Sequence, residues 1–209
     1  MSLTLIIIIS CSFAYLLGSI PTAVWLGKMK YGIDVRQHGS RNAGATNVFR
    51  VLGKKPGIVV LLIDICKGVI AASLPYFIGK GLGNETVINI MLVAGVLAVI
   101  GHVYPIFAGF NGGKGVATSL GVVIGIHPPA ALICIIVFLV LFMLFHYVSL
   151  GAILASLSFP LTVHFVFHNH HYWLTVFSIV LSATVIGLHE KNIKRLIKGE
   201  EGKMNLFKK

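Results

Sequence analysis

The run Leu3-Thr-Leu-Ile-Ile-Ile-Ile-Ser-Cys-Ser-Phe-Ala-Tyr-Leu-Leu-Gly-Ser-Ile-Pro-Thr-Ala-Val-Trp-Leu-Gly27 contains no charged side chain in 25 consecutive positions. A helix rises about 1.5 Å per residue, so a run of this length can cross a bilayer core of about 30 Å. The whole chain is similarly apolar, because 56% of its 209 residues are hydrophobic and only 11% are charged. A soluble domain of this size carries far more charge. The composition therefore predicts an integral membrane protein.

Six further apolar runs follow, separated by loops rich in Gly, Pro, Asn or His, and each is expected to form a helix. The predicted spans are 3–27, 57–79, 87–108, 116–126, 130–146, 150–167 and 173–189. This pattern predicts an all-α, polytopic protein with seven transmembrane helices in a single membrane domain over residues 1–209. The run 116–126 reaches only roughly 17 Å as a helix, so we expect it to be tilted, extended or partly re-entrant.

The basic residues predict how the chain is oriented. The formal charge is +11, from 17 Lys and Arg against 6 Asp and Glu, which in a soluble protein would suggest nucleic-acid binding. Here the basic residues gather after the first and last apolar runs, at positions 28, 30, 36, 41, 50, 54, 55 and 191, 194, 195, 198, 203, 208, 209. Positive charge favours the cytoplasmic side. We therefore expect a cytoplasmic C-terminus, an extracytoplasmic N-terminus, the lipid bilayer as surroundings and no nucleic-acid partner.

Three polar segments are predicted on that cytoplasmic side: 28–56, 101–118 and 189–201. The middle segment places Gly112, Gly113 and Gly115 around Lys114, directly before an apolar run. Glycines leave backbone N–H groups uncovered and lysine adds a positive charge, so the pattern predicts a site for an anion, most simply phosphate. The loop does not match the nucleotide-binding P-loop, which would require Gly at position 108 and Ser or Thr at 115.

The first polar segment is too long for a bare connection and too polar for a span. A helix is predicted from Ala43 to Leu52, with Asn47 and Arg50 on one face near Thr46. The alternative is a basic loop that anchors to anionic lipid. That alternative accounts for the lysines at 54 and 55 better than for the polar side chains Ser40, Asn42, Thr46 and Asn47.

The tail carries Ile193, Leu196 and Ile197 at helical spacing, which predicts an amphipathic helix in the headgroup layer. Its polar residues His189, Asn192 and Arg195 would then share one face.

Asp64 and Lys67 lie three residues apart inside the second span, where charges are costly. On a helix they can pair. The pair is equally compatible with a functional role and with a structural ion pair beneath the site.

Four motifs occur in a fixed order along the chain: Gly18-Ser-Ile-Pro21, Gly39-Ser-Arg-Asn-Ala-Gly-Ala-Thr-Asn-Val-Phe-Arg50, Gly101-His-x-x-Pro-x-Phe-x-x-Phe-x-Gly-Gly-Lys-Gly-Val-Ala-Thr118 and His189-x-x-Asn-Ile-x-Arg-Leu-x-x-Gly-x-Glu201. Together they resemble the bacterial acyl-phosphate:glycerol-3-phosphate acyltransferase family, PlsY, over essentially the whole chain. Arg41 stands where the family usually has Gly, and Glu190 where it often has Arg.

The resemblance implies transfer of a fatty acyl group from acyl phosphate to the sn-1 hydroxyl of glycerol 3-phosphate, giving lysophosphatidate and phosphate. It implies the bacterial cytoplasmic (inner) membrane, an active site on its cytoplasmic face, and the enzyme that produces acyl phosphate as a possible partner. No cofactor and no metal site are expected.

The expected catalytic residues are Ser40, Lys114, His189 and Asn192. The expected substrate-binding residues are Asn42, Thr46, Asn47, Arg50, Gly112, Gly113, Gly115, Arg195 and Glu201, with Glu201 tying the tail to the loops. Either His189 or the substrate phosphate could accept the hydroxyl proton. A transporter of a small phosphorylated metabolite and a basic membrane adaptor are the alternatives.

Overall fold

The computed structural model describes residues 1–204, and the regular elements in that range are helices. They are α1 (Leu3–Gly18), α2 (Thr22–Tyr31), α3 (Ala45–Leu52), α4 (Lys54–Ile78), α5 (Asn84–Val103), α6 (Val116–Ile126), α7 (Pro128–Phe145), α8 (Val148–Leu161), α9 (Tyr172–Leu188) and α10 (Glu190–Ile197). Single 3₁₀ turns occur at Val35–Gln37 and Ile106–Ala108, and a π-helical turn follows α8 at Thr162–Val166. The predicted all-α fold is confirmed.

All seven apolar runs are helical, although they differ in length. Within residues 1–204, four stretches are long and apolar enough to cross a membrane: Lys54–Ile78, Asn84–Ala108, Pro128–Phe145 and Val148–Val166. The count rises to six if each of two bent pairs forms one span, α1 with α2 (41°) and α9 with α10 (62°). The remaining apolar helix, α6, has 11 residues. Seven crossings and the orientation of the termini therefore stay predictions.

The first predicted span, 3–27, is wrong as a single helix because the chain breaks between Gly18 and Thr22. Pro21 lacks an N–H group and disfavours the helical conformation at the residue before it, so the helix cannot continue through this point. Gly18 also packs against α5 so closely that a Cβ atom there would lie 2.2 Å from the Ala98 carbonyl oxygen. The break leaves the Ile20 carbonyl oxygen without a helical partner, and it accepts a hydrogen bond from Lys67 Nζ at 3.0 Å.

Residues 1–126 form one compact unit, whose centre is the packing of α4 against α6. A Cβ atom at Gly121 would lie 2.0 Å from the Ile65 carbonyl oxygen, and one at Gly68 would lie 2.2 Å from the Thr118 carbonyl oxygen. Glycine on both helices thus lets the two backbones touch, as small residues do between membrane helices. The close approach of α4 and α6 therefore depends on glycine at positions 68 and 121.

The described residues from 127 onward form a second compact unit. Helix α7 packs on α8, and α8 packs on α9. Proline at the first position of α7 suits a helix start, and His127 caps it by accepting the Ala130 N–H group. The tail helix α10 begins directly after His189, which confirms a helix in the predicted tail segment.

Candidate functional site

The glycine-rich loop folds back onto the end of α5. Gly109 and Phe110 both adopt positive φ angles, 62° and 57°, which reverse the chain after the short 3₁₀ turn. The Gly112 N–H group then donates to the Val103 carbonyl at 3.1 Å, and the Gly113 N–H group donates to the His102 carbonyl at 3.2 Å. Lys114, which is half-buried, follows at once. The loop therefore holds a lysine immediately in front of α6.

The predicted role of the Gly112 and Gly113 amides is wrong, because both N–H groups already donate to backbone carbonyls. Glycine is needed at both positions because a side chain would collide with His102. A Cβ atom at Gly112 would lie 2.0 Å from the His102 carbonyl oxygen, and one at Gly113 would lie 2.2 Å from His102 Nε2. Gly115 is needed for its backbone conformation, with φ at 74°. The charged side chain of this loop is that of Lys114.

Asn47 organises the first polar segment. Its Oδ1 atom accepts the Ser40 N–H group at 2.8 Å and the Ser40 hydroxyl at 3.1 Å, while its Nδ2 atom donates to the carbonyls of Val35 at 2.8 Å and His38 at 3.1 Å. These four bonds use the whole capacity of an amide side chain. Asn47 is 1% exposed. Its predicted contact with substrate is therefore corrected to a positioning role, in which it holds Ser40.

The predicted helix around Asn47 starts two residues later than expected, at Ala45. Asn47 points into the protein whereas Arg50 is exposed, so the two side chains do not share one surface as predicted. Ser40 is also exposed, and Asn42 and Thr46 are half-buried. Of the five predicted site residues in this segment, Asn47 is therefore buried, whereas the other four are exposed or half-buried: Ser40, Asn42, Thr46 and Arg50.

Arg36 joins the first polar segment to the glycine-rich loop, a link that the sequence reasoning missed. Its Nη1 atom donates to the carbonyls of Ala108 at 2.8 Å and Asn111 at 3.4 Å, and its Nη2 atom pairs with Asp34 Oδ2 at 2.7 Å. Lys28 Nζ also lies 3.3 Å from Asp34 Oδ2. The hydrogen bonds from Arg36 hold the pKa of Asp34 well below its usual range. The available signal was that Asp34 is the only acidic residue of segment 28–56.

In the second unit, His189 has a defined ring orientation. Its Nδ1 atom lies 2.7 Å from the Val185 carbonyl oxygen, which can only accept, so Nδ1 carries the proton. A neutral imidazole held in this way carries its lone pair on Nε2. The side chain is buried, with His189 4% exposed. The bond to Val185 therefore fixes the orientation of the ring at the α9–α10 corner.

Glu201 gathers three side chains of the second unit. Its Oε1 atom accepts from Asn192 Nδ2 at 2.6 Å and from the Ser149 hydroxyl at 2.7 Å, and its Oε2 atom accepts from Arg195 Nε at 2.7 Å. Burial raises the pKa of Glu201, but the hydrogen bonds from Arg195, Asn192 and Ser149 together outweigh it, so the pKa lies below its ordinary value. The tie therefore runs to α8 and α10, where the sequence predicted one to the loops.

The predicted site residues thus divide between the two units. In residues 1–126 the structure brings Ser40 to Asn47 and connects the first polar segment to the loop of Lys114 through Arg36. In the second unit it brings Asn192 and Arg195 to Glu201. Asp64 and Lys67 form the predicted ion pair, with Oδ1 and Nζ 2.8 Å apart.

Comparison with known proteins identifies the family. The family model described as glycerol-3-phosphate acyltransferase matches residues 8–199. The chain belongs to this family. A glycerol-3-phosphate acyltransferase of Chlorobaculum parvum is 45% identical, over 91% of this chain and 93% of that protein. One of Streptococcus equi subsp. equi is 46% identical, over 88% of this chain and 85% of that protein.

Two solved structures of PlsY, an integral membrane glycerol 3-phosphate acyltransferase, are also similar. The glycerol 3-phosphate form superposes with a TM-score of 0.87 at 39% identity, covering 97% of this chain and 99% of that one. The lysophosphatidic acid form gives 0.82 at 39% identity, covering 96% of each chain. The family predicted from the four motifs is confirmed, and the chain is an integral membrane acyltransferase of phospholipid synthesis.

Proposed function

We propose that the protein transfers a fatty acyl group from acyl phosphate to the sn-1 hydroxyl of glycerol 3-phosphate. The products are lysophosphatidate and inorganic phosphate. The observation that carries the proposal is the loop of Lys114, a half-buried cation held in front of α6 in a chain of the glycerol-3-phosphate acyltransferase family. Both substrates are anions, and a fixed cation lowers the repulsion between them as they approach.

In the proposed reaction the sn-1 oxygen attacks the carbonyl carbon of acyl phosphate, and the bond from that carbon to the phosphate oxygen breaks. The hydroxyl proton passes to a base, and phosphate leaves with the electron pair of the broken bond. Acyl phosphate is already activated, so the protein chiefly aligns the reactants and stabilises the developing oxyanion. No cofactor is required by this chemistry.

In this proposal each of the three polar segments contributes residues to the reaction. Lys114 and Arg50 hold phosphate groups, while Ser40, His189 and Asn192 orient the hydroxyl and the carbonyl. The remaining contacts to substrate come from Asn42, Thr46, Gly115 and Arg195. Asn47 and Glu201 contribute indirectly, because their side chains fix Ser40 and Asn192 respectively.

Two groups compete for the role of base. His189 is supported by its geometry, because the Nδ1 bond to Val185 fixes the tautomer and the orientation of the imidazole ring. The phosphate of glycerol 3-phosphate is the second candidate, since the second pKa of a phosphate monoester is about 6. The two hypotheses differ in what a glutamine at position 189 would do to kcat and to KM.

We place this chemistry at the cytoplasmic face of the bacterial cytoplasmic membrane. The support is the set of basic residues between Lys28 and Lys55 and after His189, which favour the cytoplasmic side; Lys208 and Lys209 lie outside the described residues. An enzyme that makes acyl phosphate is the corresponding partner, because the donor must be produced where this site can receive it.

A transporter of phosphorylated metabolites is the second candidate, favoured by the buried Asp64–Lys67 pair inside a span. Reconstituted vesicles separate the two functions. With acyl phosphate outside and labelled glycerol 3-phosphate supplied, the proposal predicts labelled lysophosphatidate. Uptake of unmodified label, without product, would overturn the proposal in favour of the transporter.

A further inference from the structure

A buried polar cluster of Asp64, Lys67, His102 and Thr118 lies beneath the glycine-rich loop. The four residues come from α4, α5 and α6, and each is at most 7% exposed. Asp64 Oδ1 lies 2.8 Å from Lys67 Nζ, accepts the Thr22 hydroxyl at 3.2 Å and lies 3.8 Å from His102 Nδ1. The ion pair is therefore anchored on one side at the break between α1 and α2 and faces an imidazole on the other.

His102 connects this cluster to the loop. Its Nδ1 atom lies 3.1 Å from the Thr118 hydroxyl of α6, and the Asp64 carboxylate of α4 lies beside the same nitrogen at 3.8 Å. Its carbonyl oxygen accepts the Gly113 N–H group at 3.2 Å. Its Nε2 atom faces the Gly113 Cα so closely that a Cβ atom there would lie 2.2 Å away. Gly113 therefore rests on both the carbonyl and the ring of His102, one residue before Lys114.

We propose that His102, braced by Thr118 and by the Asp64–Lys67 pair, is a positioning residue that sets the place of Lys114 for the phosphate of glycerol 3-phosphate. The ring occupies the space beside Gly113 into which a side chain would extend, since a Cβ atom there would lie 2.2 Å from His102 Nε2. The inference rests on the function proposed above, in which Lys114 holds phosphate.

A purely structural role does not explain why this cluster contains an ion pair and a histidine. Charged groups inside a membrane span are costly, and a buried ion pair can often be replaced by apolar residues without loss of stability. The cluster also connects the α1–α2 break to the glycine-rich loop. Its polar contacts run from Ile20 and Thr22 through the ion pair to His102, and end at the backbone of the glycine-rich loop.

The test compares two nearly isosteric substitutions, Thr118→Val and Thr22→Val. Each removes one hydroxyl hydrogen bond from the cluster, at 3.1 Å and 3.2 Å respectively, and both threonines are buried. Only Thr118 contacts His102 through its hydroxyl. Thr118→Val should raise the KM for glycerol 3-phosphate on the order of fivefold, the factor that one buried hydrogen bond typically contributes, with little change in the KM for acyl phosphate. Thr22→Val should change neither value by as much as twofold.

Hydrogen exchange of the Gly113 amide provides a readout that does not depend on activity. Thr118→Val should speed this exchange while the midpoint of thermal unfolding stays within a few degrees of wild type. Thr118→Ser should restore both the exchange rate and the KM, because it returns the hydroxyl. Thr118→Ala is a second hydroxyl-free variant, expected to match Thr118→Val because the lost hydroxyl, and not a change in packing, causes the effect.

Equal effects of Thr118→Val and Thr22→Val, or unchanged exchange and KM in both hydroxyl-free variants at position 118, would overturn the inference. If the wild-type protein forms no lysophosphatidate, the proposed function is wrong. The exchange of the Gly113 amide then decides separately whether His102 positions the loop.

Discussion

Replacing Glu201 by glutamine tests how the tail of the second unit is held. The carboxylate is 8% exposed and receives hydrogen bonds from Asn192, Arg195 and Ser149 at 2.6 to 2.7 Å. An amide oxygen can still accept from Asn192 and Ser149, but the amide nitrogen then faces Arg195, another donor. Hydrogen bonds to charged groups contribute about 1.5–3 kcal/mol, and Arg195 is 42% exposed, so solvent weakens its share. We therefore expect Glu201→Gln to lower the free energy of unfolding by about 2 kcal/mol.

For a chain of this length, about 2 kcal/mol corresponds to a fall of roughly 4–8 °C in Tm. Thermal unfolding in detergent, followed by far-UV circular dichroism, measures it. Glu201→Ala should lower Tm further, because it removes all three bonds, and should reduce activity by releasing Asn192.

Glu190→Gln is the matched control, because it makes the same change in the same tail. Glu190 pairs with Lys194 at 2.5 Å, but both side chains are more than two-thirds exposed, at 69% and 68%. Exposed ion pairs of this kind contribute little to the stability of the fold, so Glu190→Gln should not change Tm measurably. Similar falls in Tm for Glu201→Gln and Glu190→Gln would contradict this expectation, because burial of the carboxylate would then not determine how much it stabilises the fold.

The difference in Tm between wild type and Glu201→Gln should depend on pH in a direction that the pKa of Glu201 determines. The pKa of Glu201 lies below its ordinary value of 4.5 in the folded protein. The carboxylate therefore stabilises the folded state fully above the unfolded pKa, and this contribution is lost as the pH falls through the folded value. The difference in Tm between wild type and Glu201→Gln should be constant near neutral pH and shrink in acid. A difference that grows in acid would contradict the assignment.

Three further substitutions address the site directly. His189→Gln should lower kcat by more than about 10² with an unchanged Tm if His189 is the base, whereas a retained kcat with a raised KM would favour the substrate phosphate. Gly113→Ala should impair glycerol 3-phosphate use because its Cβ atom would meet His102 Nε2 at 2.2 Å. Gly187→Ala should behave as wild type, because its Cβ atom would meet no atom of residues 1–204 within 4 Å, and steady-state kinetics compares the two variants. Lys114→Ala should raise the KM for glycerol 3-phosphate or abolish turnover, and unchanged kinetics would contradict its role in holding phosphate.

The helices could be predicted because apolar runs of membrane length leave few other structures open to the backbone. The all-α fold, the tail helix and the Asp64–Lys67 pair followed from such local patterns. The break at Pro21 is also local, but a run without charges conceals it. A proline near the end of an apolar segment can equally well sit within a kinked helix.

The interior of the site could not be predicted in the same way. Whether the Gly112 and Gly113 amides face a ligand or a carbonyl depends on how the loop folds over α5, which is a tertiary property. Asn47 was predicted to contact substrate because polar side chains in such a motif often do. In the structure its amide instead makes four hydrogen bonds to residues of the preceding loop. Arg36 was missed because its partners at residues 108 and 111 are backbone carbonyls, which leave no mark in a sequence.

Acyl phosphate is the proposed donor, and the sn-1 hydroxyl of glycerol 3-phosphate is the proposed acceptor. The direct measurement supplies the purified protein with glycerol 3-phosphate and one donor at a time: acyl phosphate, acyl-CoA or acylated carrier protein. The account predicts 1-acyl lysophosphatidate from acyl phosphate alone, with one phosphate released for each product molecule. Product formed only from acyl-CoA or carrier protein, or acylation at the sn-2 hydroxyl, would contradict it.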